Sequence, residues 1–238
     1  MKLRMLAILL LSGIVLSLQS FQPSSPALTG AWHLQQGTVE EVLVFEDGYF
    51  SHSIFDKGNK KFIGTYGGIY KTTGRELHIK IEFDSRVEEN IGTDKKYSHA
   101  ISNDKLTADI NGQSQVWARL DGGNDKLAGV WRITGRMVGG KMNEMKRGDR
   151  KTLKLLSSTR FQWMAINPAT KEFFGTGGGT YTFADGKYTE HIEFFSRDNS
   201  RVGASLSFDG KVKDGVWNHS GKSSKGDPID EVWTKEKY

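Results

Sequence analysis

The sequence predicts an all-β protein built as two tandem antiparallel up-and-down β-barrels of about eight strands each. Three observations carry this expectation. First, the chain repeats itself. Leu28-Thr29-Gly30-Ala31-Trp32 returns as Leu127-Ala128-Gly129-Val130-Trp131, and Ile81-Glu82-Phe83-Asp84-Ser85-Arg86 returns as Ile192-Glu193-Phe194-Phe195-Ser196-Arg197. Between them, Ile63-Gly64-Thr65-Tyr66-Gly67-Gly68-Ile69-Tyr70 returns as Phe174-Gly175-Thr176-Gly177-Gly178-Gly179-Thr180-Tyr181. Self-similarity over about a hundred residues marks one domain fold used twice, not a solenoid of small units. Second, Asp47-Gly48, Thr73-Gly74, Asn111-Gly112, Asp185-Gly186, Asp209-Gly210 and Asp214-Gly215 punctuate short runs rich in aromatic and β-branched residues. Such dipeptides supply the positive φ of tight hairpins, and the regular short strands between them indicate an antiparallel sandwich or barrel. Third, no long amphipathic helical pattern interrupts these runs, and only 140–149 is expected to hold a helical turn.

The elements follow in order. Residues 1–20 read as a secretory signal peptide: Lys2 and Arg4 precede an apolar run from Met5 to Leu18 that is shorter than the ~20 residues a membrane span needs. Residues 21–27 are a linker, 28–120 the first barrel, 121–125 a polar connection, and 126–238 the second barrel. A secreted or periplasmic protein, not integral to the membrane after cleavage, is the expectation. The chain has no cysteine, so no thiol is available for a disulfide, a thiolate ligand or lipidation. The formal charge of +5 falls to +3 when Lys2 and Arg4 leave with the signal, and the remaining basic residues are interspersed with acids. That balance offers no electrostatic stripe for nucleic acid. A small sheet without staples is best finished by closing on itself, which removes its unpaired edges.

The two copies differ in length. Trp32 to Gly64 spans 32 residues and Trp131 to Gly175 spans 44, so the second copy has gained 12, mostly within 136–150. The basic stretch Lys141 to Arg150 reads as a solvated loop, a lid, or a docking surface for an anionic head group or a cell-envelope protein.

Each copy pairs Gly-x-Trp on its first strand with a basic residue two places after a Trp on its last: Gly30 and Trp32 with Arg119, and Gly129 and Trp131 with Lys235. This pattern resembles the calycin superfamily, the lipocalins and their relatives, and more widely the lipocalin-like proteins of unknown function exported by Gram-negative bacteria. The resemblance implies that Trp32, Arg119, Trp131 and Lys235 close the barrels, the cation packing over the indole. Such a contact is worth about 0.5–2 kcal/mol. A second lipocalin signature of the Thr-Asp-Tyr type and a disulfide are missing.

Strand parity separates inside from outside. Leu77, Ile79, Ile81 and Phe83 alternate with polar residues and are expected to face inward, as are Tyr188, Glu190, Ile192 and Phe194 in the second copy. Glu190 then stands where the first copy has Ile79. An interior carboxylate needs a partner, so Glu190 is either a polar anchor for a ligand, or is satisfied by Tyr181, Tyr188 or an arginine, or sits at a wet mouth. His52 aligns with Trp163. The expected ligand-binding residues are Phe161, Trp163, Tyr181, Tyr188 and Glu190 in the second barrel and Phe50, His52, Tyr70 and Ile79 in the first.

The remaining motifs read as structural. His191-x-Glu193 lacks a third metal ligand. Glu82 and Glu193 recur with Arg86 and Arg197 as ion pairs or hairpin fasteners. Gly175 to Thr180 lacks the Gly-Lys-Ser/Thr ending of a phosphate loop and reads as a site of bulges and coiling. No Ser-His-acid order or pair of interior carboxylates assembles, so no enzyme, cofactor or metal is expected. The function expected is binding of a small apolar or amphipathic molecule in one or both barrels. The alternative is a non-enzymatic envelope interaction module with both interiors filled by side chains.

Overall fold

The computed structural model describes residues 28–110, 112–223 and 225–238; the segment read as signal peptide and linker lies outside the described residues. Barrel 1 is closed by β1 (Gly30–Gln36), β2 (Val39–Glu46), β3 (Tyr49–Asp56), β4 (Lys61–Thr73), β5 (Glu76–Asp84), β6 (Asp94–Ser102), β7 (Lys105–Ala108) and β8 (Gln115–Asp121), each antiparallel to the next and β8 back on β1. In barrel 2, β9 (Gly129–Val138) runs long and its far end pairs with β10 (Lys141–Glu144). The ring continues through β11 (Lys151–Leu156), β12 (Arg160–Asn167), β13 (Glu172–Ala184), β14 (Lys187–Phe195), β15 (Ser205–Lys213), β16 (Val216–Lys222) and β17 (Pro228–Glu236), which returns to β9. Two closed eight-stranded antiparallel barrels in tandem fit a lipocalin-like fold. The added residues of the second copy build the β9–β10 hairpin, a strand pair where the sequence suggested a helical turn.

The barrels close where the sequence indicated. Trp32 lies opposite Arg119 across β1–β8, and the guanidinium sits 4.0 Å from the indole centroid while donating to the Thr29 carbonyl at 3.1 Å. Trp131 lies opposite Lys235 across β9–β17, with the ammonium 5.8 Å from the ring and donating to the Ala128 carbonyl at 2.8 Å. Each indole N–H donates to the carbonyl four residues earlier, Leu28 or Leu127. Gly30 adopts φ +107, and a Cβ there would strike the Asp121 carbonyl, so the first strand crosses the last only because it has no side chain at that point.

Most turns match their dipeptides. Asp47-Gly48, Asp185-Gly186 and Asp214-Gly215 have positive φ at both residues, as two-residue hairpins require. Asp209-Gly210 does not turn; it lies within β15, with Gly210 opposite His219. The β6–β7 turn is made by Asn103 and Asp104, both at positive φ.

The parity expectation fails at one place in each copy. The β4–β5 register skips Glu82, so that Gly67 faces Phe83 and Gly68 faces Ile81; the β13–β14 register skips Glu193 in the same way. A bulge inverts the faces beyond it. Phe83 and Phe194, expected inside, therefore point outward. The glycines in β4 and β13 allow the close approach, since a Cβ on Gly68 or Gly179 would meet the Lys80 or His191 carbonyl.

The outward phenylalanines are not wet, because the two barrels pack against each other there. Ala31, Val42, Val44, Tyr49, Phe55 and Phe83 form one buried cluster with Val130, Leu153, Leu155, Met164, Ile166 and Phe194. The contacts repeat with roles exchanged: Phe62 stacks on Phe194 at 6.0 Å, and their counterparts Phe173 and Phe83 stack at 6.4 Å. At the centre, the Gln162 side-chain amide donates to Thr65 Oγ1 at 2.9 Å and to its counterpart Thr176 Oγ1 at 3.0 Å. The chain thus folds as an internal pseudo-dimer with an isologous interface. Glu82 and Glu193 serve this seam: Glu82 accepts from Lys151 of the other barrel at 2.7 Å, and Glu193 from Lys57 of the other barrel at 2.9 Å and from Arg160 of its own. Their partners are these residues, not Arg86 and Arg197.

The 121–125 connection is pinned. Asp121, the last residue of β8, accepts from the Ser157 and Thr159 hydroxyls and the Ser158 and Thr159 N–H groups at the β11–β12 turn. Glu46 is buried beside it. Burial, with Asp47 and Asp121 adding like charge, pushes its carboxyl up to about 8.

Phe194→Ala should cost about 3–5 kcal/mol and split one calorimetric transition into two; a single unshifted transition would refute the coupling. Glu46 holds its proton more tightly folded than unfolded, so its contribution is full below about pH 4.5 and fades as pH rises towards about 8. Glu46→Gln should therefore raise the melting temperature at pH 9 and leave it nearly unchanged at pH 4, as read by thermal melts.

Candidate functional site

The two interiors differ. Barrel 1 is filled: Trp32, Leu43, Phe45, Phe50, Leu77, Ile79, Leu106 and Trp117 pack as one buried cluster, with Tyr70 packed partly buried against it. Phe50 lies 4.7 Å from Phe45, and Tyr70 meets Phe45 edge-on at 5.1 Å. His52 is fully buried, its Nε2 2.8 Å from Glu41 Oε2 and its ring edge-on to Tyr66 and Trp117. Burial drives its pKa below the ordinary value, against the opposing pull of Glu41. The expected barrel 1 residues Phe50, His52, Tyr70 and Ile79 are thus brought together, but as packing around one polar pair.

Barrel 2 contains a cavity of about 580 Å³. It opens where β9 leads into the β9–β10 hairpin and where β16 leads into β17, since Arg136, Met137, Ser223, Asp227 and Pro228 line that end. Its walls are Ile133, Trp163, Ala165, Ile192, Phe195 and Leu206. The bulge at Glu193 is what brings Phe195 to the interior face, where it meets Trp163 edge-on at 5.4 Å.

The inner end of the cavity is charged. Lys154 Nζ donates to Glu190 Oε1 at 2.7 Å, with both side chains buried. The same ammonium lies 4.9 Å from the Tyr188 ring, 5.2 Å from Trp217 and 5.3 Å from Trp233, a cage of aromatic faces. Beside it Glu231 accepts from Arg136 at 2.6 Å and from the Trp233 indole N–H at 3.1 Å, and it lies 3.6 Å from His219 Nδ1. Burial pushes the Glu231 carboxyl up, but His219, Lys154 and Arg136 together outweigh it and bring it down to about 2. His219 is buried against Phe208 at 4.1 Å, and burial, then the Lys154 charge, lowers its pKa.

Of the residues expected in barrel 2, Trp163 and Glu190 line the cavity. Phe161, Tyr181 and Tyr188 do not; they belong to the buried cluster that closes the inner end with Leu127 and Trp131. The Tyr181 hydroxyl is engaged, donating to the Ser157 carbonyl at 2.6 Å. Glu190 is paired with a lysine, with the Tyr188 hydroxyl beside it, rather than with Tyr181 or an arginine.

Lys154, His219, Glu231 and Arg136 escaped the sequence reading. The signal for three of them was present in the repeat. Lys154 lies opposite Trp131 as Leu43 lies opposite Trp32, and the pair His219–Glu231 answers the pair Ala108–Gln115. Lys154, His219 and Glu231 differ from their counterparts in the first copy just as Glu190 differs from Ile79. Two interior carboxylates therefore do share one barrel, each with its own cation. His191 is exposed and bonded to Ser205, away from Glu193's partners. Among the described residues no cluster of three His, Asp or Glu side chains is arranged to hold a metal.

Breaking one half of the ion pair should be far worse than removing both. Glu190→Gln leaves a buried ammonium unmatched and should cost about 3–5 kcal/mol, whereas Lys154→Met with Glu190→Leu should be close to neutral. Urea unfolding of the three proteins checks this; equal losses in the single and double variants would contradict it.

A scan against models of known protein families finds no match, and a search of curated proteins finds no related sequence.

Proposed function

We propose that this chain is an exported lipocalin-like binding protein in which barrel 2 holds one small, mostly apolar molecule and barrel 1 is a filled structural partner. The observation that carries the reading is the contrast between two copies of one fold. One interior is packed with aromatic and aliphatic side chains, and the other retains about 580 Å³ walled by apolar groups. That volume falls within the range of small-molecule sites, which combine apolar walls with a few fixed polar groups. Ligand burial would contribute roughly 25 cal/mol per Å² of apolar surface before ordering costs. Kinship with the calycins and with exported proteins of Gram-negative bacteria is supported by the paired Gly-x-Trp and terminal cation of each barrel. Export to a secreted or periplasmic location is supported by Lys2, Arg4 and the apolar run to Leu18. Among the described residues no helix is long and apolar enough to cross a membrane.

The rival reading, an interaction module in the cell envelope, draws on the β9–β10 hairpin and the segment after it. Met137, Val138, Met142 and Met145 are exposed there, beside Lys141 and Lys146. Binding of N-phenyl-1-naphthylamine separates the two. Under the first reading the dye brightens on the protein, Ala165→Trp abolishes the signal by filling the cavity, and removal of residues 139–148 leaves it. A protein that excludes the dye, yet captures an envelope partner only with the hairpin intact, would overturn the ligand-binding reading.

A further inference from the structure

We infer that the barrel 2 cavity selects an uncharged amphiphile whose polar end is a hydroxyl donor, received by His219; this rests on the ligand-binding reading above. The charges lining the cavity are already matched in pairs, Lys154 with Glu190 at 2.7 Å deep inside and Arg136, reaching in from the mouth, with Glu231 at 2.6 Å. A carboxylate or ammonium entering there would bring a charge with no counter-charge waiting for it, and burying an unmatched charge is costly. The aromatic cage that would suit a ligand cation is filled by the protein's own Lys154, with Tyr188, Trp217 and Trp233 around it.

One cavity-lining side chain, among the described residues, has buried polar atoms without a hydrogen bond: His219. Its ring is 1% exposed, tilted against Phe208 and edge-on to Trp217, so solvent does not satisfy it, and a ligand hydroxyl meets Nε2 once the ring turns towards the cavity. Nδ1 faces the Glu231 carboxylate at 3.6 Å. A lone pair turned towards that carboxylate would be repelled, so the ring proton sits on Nδ1. Nε2 then carries the lone pair and is an acceptor without a donor. A buried acceptor in that state is stabilised by a ligand that supplies an O–H, and less by one that offers only another acceptor. Barrel 1 has Ala108 at the matching position of its β7–β8 pair; its own buried histidine, His52 on β3, has Nε2 on Glu41 and Nδ1 without a hydrogen bond, in an interior packed with side chains.

The test displaces N-phenyl-1-naphthylamine from the full protein with four ten-carbon probes: 1-decanol, methyl decanoate, decanoate and decylammonium. Decanol should compete at about tenfold lower concentration than methyl decanoate, which is similarly apolar but has no donor, and at lower concentration than either ion. His219→Leu should erase the advantage of the alcohol over the ester while the dye still binds. If that variant does not fold, the ranking on the unaltered protein decides alone. Decanoate or decylammonium matching decanol, or the ester equalling it, would overturn the inference and leave the binding reading standing. Failure of the dye and all four probes to bind would remove both.

Discussion

The structure depends on the contact between the outer faces of its two barrels. A closed barrel of eight strands has a small core, and no covalent staple is available because the chain lacks cysteine. The protein enlarges its effective core by burying a second apolar layer between the barrels, built on Val42, Val44, Phe55 and Phe83 against Leu153, Leu155, Ile166 and Phe194. Each buried aliphatic or aromatic side chain contributes roughly 1.5–3 kcal/mol relative to exposure. The bulges at Glu82 and Glu193 make this possible, because they rotate one phenylalanine per barrel from the inside to the seam. The same bulges leave the two glutamates beside the seam, where lysines of the opposite barrel neutralise them.

Duplication then allowed the interiors to diverge. The outer faces must remain complementary to each other, so they change little in character. Each interior is constrained only by its own volume. Leu43, Ile79 and Ala108 keep barrel 1 apolar at the places where Lys154, Glu190 and His219 make barrel 2 polar. The long β9 and its hairpin flank the mouth on the side where Arg136 reaches Glu231. A scaffold half and a binding half can thus arise from one sequence pattern.

Much of the architecture was legible in the residues. The repeat, the turn dipeptides and the Trp–cation pairs specify strand number, connection and closure, because each rests on a local rule of backbone or ring geometry. What was not legible depends on long-range register. Alternation along β5 and β14 cannot reveal a bulge, since a skipped residue leaves no mark in composition; hence alternation alone places Phe83 and Phe194 on the interior face, and the register turns them outward. Asp209-Gly210 looks like a turn and is held straight by its neighbours. For the site, Glu190 stands out against Ile79 of the first copy, whereas the aromatic character of Phe161, Tyr181 and Tyr188 serves a plug as well as a pocket. Lys154 and His219 were hidden by their ordinary roles elsewhere: a lysine within a strand is usually solvated, and a lone histidine is usually only hydrogen-bonded.

The seam also has a consequence for how the protein is made. Barrel 1 leaves the ribosome first, with Val42, Val44, Tyr49, Phe55 and Phe83 uncovered, and the backbone bond from Tyr238 to the Asp47 carbonyl forms only after β17 has been made. Until then the nascent molecule presents a sticky half-face suited to pairing with another unfinished copy. Newly made chains need either a holding chaperone or dilution during that interval, and truncated products should be the first to aggregate.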